Sequence, residues 1–272
     1  MVEAVYQAQA PDRSRGHSAT PTSSVSSDIA VDPPRIPVHL GTTDASSASY
    51  FRAVVQLSII SQSILTSLYS AGAMIRSSSD IQQDIAVLGQ RLEQWLSSLP
   101  AEFKPQELSR EPDTRFGRER MLLRFQLCSA EILLTRPCLV ARQQTWKEAN
   151  DVDFSKRTAN RCVEAAKTIV AFLPDEPCPG LYEQGPWWCI VHHMMQAISV
   201  FLLALSYPSS TSQDVTTMLH CVRKTIRWLQ TMNGIVAERA HGVAFNCFQE
   251  VARRYAVDIS DLWNRTVEGP EV

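Results

Sequence analysis

Residues 121–140 read MLLRFQLCSAEILLTRPCLV (Met121 to Val140), and this stretch decides the fold class. Leu123, Leu127, Ala130 and Leu134 recur at steps of four, three and four, so they share one face of a helix. Leu122, Phe125, Ile132 and Leu133 make the remaining faces apolar too. A helix apolar nearly all round belongs at the centre of a core, not on its surface. Pro137 removes an amide donor and crowds the preceding turn, and it pushes Arg136 towards extended geometry. The expected helix therefore stops near Thr135, and a shorter one starts with Pro137 at its first position.

Outward from this segment the same texture repeats. Upstream, Phe51, Val54, Val55, Leu57, Ile60, Ile64 and Leu68 predict a first helix of about 25 residues. The Ser77–Ser79 cluster supplies an N-cap for a second helix from Asp80. Its stripe of Ile81, Ile85, Leu88, Leu92, Trp95 and Leu99 keeps a four-three rhythm until Pro100. Downstream, Asp153 opens a fourth helix with Cys162, Ala165, Ala166, Ile169 and Phe172 inward. Pro174, Pro177 and Pro179-Gly180 mark a loop, and a fifth helix runs from Pro186 to about Ser206. A sixth carries Val215, Met218, Leu219, Val222, Ile226, Leu229 and Met232 and stops at Asn233-Gly234. A seventh holds Ala240, Val243, Ala244, Cys247, Phe248, Val251 and Tyr255 inward. No alternating strand pattern of useful length appears. The expected class is all-α, with about seven helices in antiparallel pairs.

Residues 1–48 are rich in Ser, Thr and Pro and poor in large apolar side chains, so they are expected to stay disordered. The helical domain is expected over residues 49–260, with a tail over 261–272. With 44% hydrophobic and 20% charged residues the chain can bury a sizeable core. Ten glycines argue against a glycine-rich phosphate-binding fold, and a net charge of −2 carries no electrostatic footprint for nucleic acid. The seven cysteines, at 128, 138, 162, 178, 189, 221 and 247, fall mostly within apolar helix patterns. With no secretory signal at the N-terminus, they are expected as reduced core thiols of an intracellular protein. Trp187 to Tyr207 is long enough to span a bilayer, but His192, His193 and Gln196 interrupt it, and a buried core helix is expected instead. The sequon Asn264-Arg265-Thr266 is read as chance.

Few constellations offer chemistry. Cys189, His192 and His193 stand at i, i+3 and i+4 and share a face, but no second ligand pair lies at zinc spacing, so no metal site is expected. His220 and Cys221 are adjacent and point apart. Asp80 and Asp84 resemble a magnesium–diphosphate motif but lack its further carboxylate, and capping and solvation explain them. Arg115, Arg118, Arg120 and Arg124 read as a solvated helix start paired with Glu119. Arg136 is expected as a structural clamp on helix-end carbonyls. No G-x-S-x-G, H-E-x-x-H, Walker or dinucleotide motif is present, so no catalytic residue is nominated.

Four phrases in order carry a resemblance. Leu-Leu-x-Arg-Pro-x-Leu closes the central segment; Leu88, Leu92, Trp95, Leu99 and Pro100 form L-x3-L-x2-W-x3-LP; Cys162 to Ala166 forms C-x2-AA; Trp228-Leu229 precedes Ala237 and Ala240. Together, over roughly Pro37 to Tyr255, they resemble the regulatory region of fungal zinc-binuclear-cluster (Zn2Cys6) transcription factors, the fungal-specific transcription factor domain. The resemblance implies a non-enzymatic nuclear module that controls RNA polymerase II transcription. Its implied partners are a co-regulator protein, a small effector or a second copy of the chain. The family's six-cysteine cluster has no counterpart, because no cysteine precedes Cys128. The chain is therefore expected to be the C-terminal part of a longer factor, or a free-standing derivative. It is expected to hold no cofactor and to reach DNA only through a missing cluster or a partner. The rival readings are a helical small-molecule-binding protein or enzyme with an unrecognised site, and an interaction scaffold.

Overall fold

A computed structural model describes residues 46–71, 76–104, 116–140, 149–177, 187–206 and 212–262. Among them lie seven α-helices: α1 Ser47–Tyr69, α2 Ser78–Ser98, α3 Gly117–Val140, α4 Ala149–Ala171, α5 Trp187–Leu205, α6 Ser212–Thr231 and α7 Ile235–Arg254. Short 3-10 turns follow α2 (Ala101–Phe103) and α7 (Ser260–Leu262). No strand occurs among the described residues, so the chain is all-α. The expected disorder of residues 1–48 falls almost wholly outside them, as do Cys178, Pro179-Gly180, Arg115 and the sequon.

α3 occupies the centre. From Met121 to Leu139 none of its residues is exposed, and it packs against α1, α2, α4 and α5. Its partnership with α4 is the most intimate, and the reason is side-chain size. Ser155, Ala159, Cys162, Ala165 and Ala166 are all buried and all small, so the two helices approach closely. Cys162 Sγ lies 4.0 Å from the Ile132 carbonyl and Ser155 Oγ 3.5 Å from that of Cys138. Chain direction is therefore opposite in the two helices. The C-x2-AA phrase is the α4 half of this contact.

α3 does not stop at Thr135. It continues through Pro137 to Val140, with Leu139 fully buried. The expectation of a break weighed only the local cost of proline. Pro137 cannot donate to the Leu133 carbonyl one turn back. The Tyr69 hydroxyl, at the end of α1, donates to that carbonyl at 2.7 Å. The orphaned acceptor is satisfied from outside the helix, in the way Pro-containing helices persist. Arg136, expected as a clamp at a helix end, lies inside the helix.

Other elements follow their sequence signals. Ser77 caps α2 by accepting from the Asp80 amide, and Leu99, before Pro100, ends it. Trp95 Nε1 donates to the Ala53 carbonyl at 3.1 Å, while Arg76 reaches both Ser67 and Asp84, so α1 and α2 are antiparallel. Trp228 Nε1 donates to the Pro174 carbonyl at 2.9 Å and ties α6 to the loop after α4. Tyr255 donates to the Leu205 carbonyl at 2.8 Å and Arg254 to that of Ser206 at 3.0 Å, closing the end of α5.

Several assignments need correction. α4 begins at Ala149, before Asp153. Gly234 is the N-cap of α7 at φ 110°, a conformation that side chains with a Cβ rarely adopt. Val243 and Cys247 face solvent, and Phe245 and Ala252 take inward places on α7. On α1, Phe51 is 68% exposed and Val55 38%.

Candidate functional site

The residues singled out for chemistry on α5 do converge, but into a packed contact. Cys189 Sγ lies 3.2 Å from His193 Nε2, one helical turn apart. His193 is buried and stacks on Phe125 of α3, with ring centroids 5.3 Å apart and planes 6° from parallel. His192 stays exposed, edge-on to His193. Burial pushes the His193 pKa down to about 4, helped by nearby His192 and opposed by hydrogen bonding from Gln196. Burial also raises that of Cys189. Both partners are therefore neutral near pH 7. A nucleophilic thiolate needs the reverse shifts. Among the described residues no three His, Cys, Asp or Glu side chains gather at metal-binding distance.

The buried cysteines of α3 and α4 tell the same story. Burial pushes Cys128 up to about 12 and Cys138 and Cys162 up to about 11. Such thiols behave as small apolar side chains. Asp80 accepts from the Ser77 hydroxyl at 2.7 Å and Asp84 pairs with Arg76 at 2.6 Å, so both serve the start of α2. Arg118 is exposed, as a solvated helix start requires. Arg124 departs from that picture: it is half-buried, with its guanidinium 5.8 Å from the Phe172 ring centroid.

A concavity lies elsewhere, and of its lining residues only His220 was considered for chemistry from sequence. A cavity of about 850 Å³ opens along α6 between Asp175 and Tyr255. Val215, Leu219, Tyr255 and Val257 give it an apolar lining, and Arg223, Lys224 and Arg227 line it with charge. Each cation is already paired. Lys224 meets Asp175 at 2.7 Å, Arg227 meets Asp261 at 2.6 Å, and Arg223 bonds the other Asp261 oxygen as well as the Asp258 carbonyl at 2.8 Å. Partial burial raises the Asp261 pKa, but the two arginines outweigh this and hold it below the usual carboxylate range. The readable signal was the i, i+4 pair Arg223 and Arg227, beside the apolar stripe of α6.

Comparison with known proteins gives a consistent class. The chain is 26% identical over 261 residues to "Transcription regulator galc" of Aspergillus niger, covering 82% of this chain and 32% of that protein. It is 26% identical over 149 residues to "Sorbicillinoid biosynthetic cluster transcription factor 2" of Penicillium rubens, covering 48% and 21%. It is 30% identical over 130 residues to "Sorbicillinoid biosynthetic cluster transcription factor sor3" of Hypocrea jecorina, covering 42% and 19%. The chain thus spans no more than a third of the length of these relatives. No protein-family model matches the chain, and no solved structure matches it significantly. All three relatives are named as fungal transcription regulators, not enzymes, and the similarity supports a transcription-factor role.

Proposed function

We propose that this chain is the regulatory module of a fungal transcription factor of the Zn2Cys6 class, acting in the nucleus on RNA polymerase II transcription. The observation that carries the reading is similarity across 82% of the chain to a named transcription regulator. The packing supports it. Three of the phrases that prompted the resemblance sit at helix–helix contacts, at Leu133–Pro137, Trp95 and Cys162–Ala166, and the fourth, at Trp228, ties α6 to the loop after α4. Such a module acts on transcription through what it binds, and reads DNA through a separate element.

The test has two arms. The full chain, fused to an unrelated DNA-binding domain in a fungal cell, should change expression of a matched reporter several-fold relative to that domain alone. The unfused chain should give no sequence-selective shift of duplex DNA, with non-specific affinity weaker than ~10⁻⁵ M at physiological salt. An unchanged reporter, or tight selective shifting, would refute the module reading.

The α6 cavity favours a second reading, that the chain binds a small molecule. Its volume is in the range of ligand sites, and its apolar lining with a few fixed charges has their usual composition.

A further inference from the structure

After α7 the chain reverses direction. Ala256 takes φ 51°, a left-handed conformation disfavoured for any residue with a Cβ. Two bonds to the last turn of α7 fix the reversal. The Val257 amide donates to the Ala252 carbonyl at 2.9 Å and the Ala256 amide to that of Arg253 at 3.4 Å. The Ser260 amide then donates to the Asp258 carboxylate at 2.9 Å, and Leu262 is buried. Residues 256–262 are thereby laid back against α6. Val257 and the preceding Tyr255 line the α6 cavity, so this segment is one of its walls.

Charge fastens the segment there. Arg223 donates to the Asp258 carbonyl at 2.8 Å, and the Asp261 carboxylate sets one oxygen on Arg223 and the other on Arg227. A carboxylate shared between two guanidiniums is held as a ligand carboxylate would be. The rest of the hold is slight. Ala256, Asp258, Ser260 and Asp261 are exposed, Val257 and Ile259 are half-buried, and Leu262 alone of residues 256–262 is fully buried. Surface ion pairs contribute little, and the left-handed Ala256 opposes closure. A segment held in this way opens at low free energy. Opening would leave Arg223 and Arg227 at one end of a trough lined by Val215 and Leu219. We propose that residues 256–262 form an autoinhibitory strap, in which Asp261 occupies an anion site made by Arg223 and Arg227. The ligand class that displaces it is a carboxylic acid with an apolar body, its carboxylate on the two arginines and its body along Val215 and Leu219. Asp261 itself shows that the spacing of the guanidiniums suits a carboxylate. The proposal rests on the reading of the α6 cavity as a ligand site, and adds what the site takes and what keeps it closed.

Calorimetric titration of the full chain with octanoate tests this. Asp261→Asn keeps the shape of an exposed side chain and removes its charge, so circular dichroism should be unchanged. It should bind octanoate about tenfold more tightly than wild type, because the competent open state is more populated. Adding Arg227→Gln to Asp261→Asn should abolish that gain, and octan-1-ol, which has no charge, should not distinguish wild type from Asp261→Asn. Ala256→Gly relieves the left-handed residue, favours the closed strap and should weaken octanoate binding. In wild type, saturating octanoate should speed hydrogen exchange of the Leu262 amide, which donates to the Ile259 carbonyl in the closed strap. Equal octanoate affinity in wild type, Asp261→Asn and Ala256→Gly would overturn the strap and leave the cavity as a ligand site. So would binding that leaves exchange at Leu262 unchanged. Absence of binding by wild type and Asp261→Asn alike would overturn the strap together with the carboxylate class.

Discussion

At the residue scale, Tyr69 and Pro137 form a functional pair, although neither touches a site. Burial raises the Tyr69 pKa above its ordinary value, so the phenol stays a donor throughout the working pH range. Tyr69→Phe removes that donor and leaves the Leu133 carbonyl unsatisfied, at a cost of about 1–2 kcal/mol. In a Pro137→Ala background the alanine amide can serve the same carbonyl, so the cost of Tyr69→Phe should shrink towards zero. Urea denaturation of the four proteins of this cycle measures the coupling. Equal costs in both backgrounds would show the two residues to be independent.

His193 makes a second prediction at this scale. Its folded pKa is about 4, against 6.5 for the unperturbed group. Between those values the unfolded chain takes up a proton that the folded chain refuses. The stabilisation is complete above pH 6.5 and is lost as pH falls towards 4, a loss of about 3 kcal/mol. His193→Phe keeps an aromatic ring against Phe125 and removes the titration. Its stability should be much flatter than wild type between pH 6.5 and 4 in chemical denaturation. An unaltered pH dependence would mean that other groups govern acid sensitivity.

At the element scale, the helices differ in how much freedom their residues retain. Gly89 on α2 faces α3, and a Cβ there would meet Leu134 Cδ2 at 3.7 Å. Gly242, inside α7, has nothing within 4 Å of the place a Cβ would occupy. Glycine there costs helix stability without serving a contact or a special backbone angle. Gly242→Ala should stabilise the protein by about 0.5–1 kcal/mol, seen as a higher denaturation midpoint with unchanged slope. A destabilised variant would mean that α7 needs to bend or be approached at that point.

At the scale of the whole molecule, two groups of helices meet on the α3–α4 pair. α1 and α2 pack on α3 from one group, and α5, with α6 and α7 upon it, forms the other. The central pair is held by close approach of small side chains, and the periphery by long side chains reaching backbone carbonyls of neighbouring elements: Tyr69, Tyr255, Arg254 and Trp228. The α6 cavity lies on a peripheral helix. From Met121 to Leu139 no residue of α3 is exposed.

The sequence by itself determined the helical class, the place of α3 at the centre and the caps of α2, because periodicity and capping chemistry are local properties. It also carried the ordered phrases that led to fungal transcription regulators. It did not determine whether α3 survives Pro137, because the compensating donor stands 64 residues away in the chain. Nor did it tell which face of α1 is buried. Phe51 and Val55 are as apolar as Leu57 and Ile60, and hydrophobicity alone cannot rank two seams on one helix. The α6 cavity stayed hidden for the same reason. Arg223 and Arg227 lie four residues apart, but Asp261 and Tyr255 reach them only through the fold. Tertiary structure decided these three points because each depends on what a distant segment brings, and local sequence records only what a segment offers.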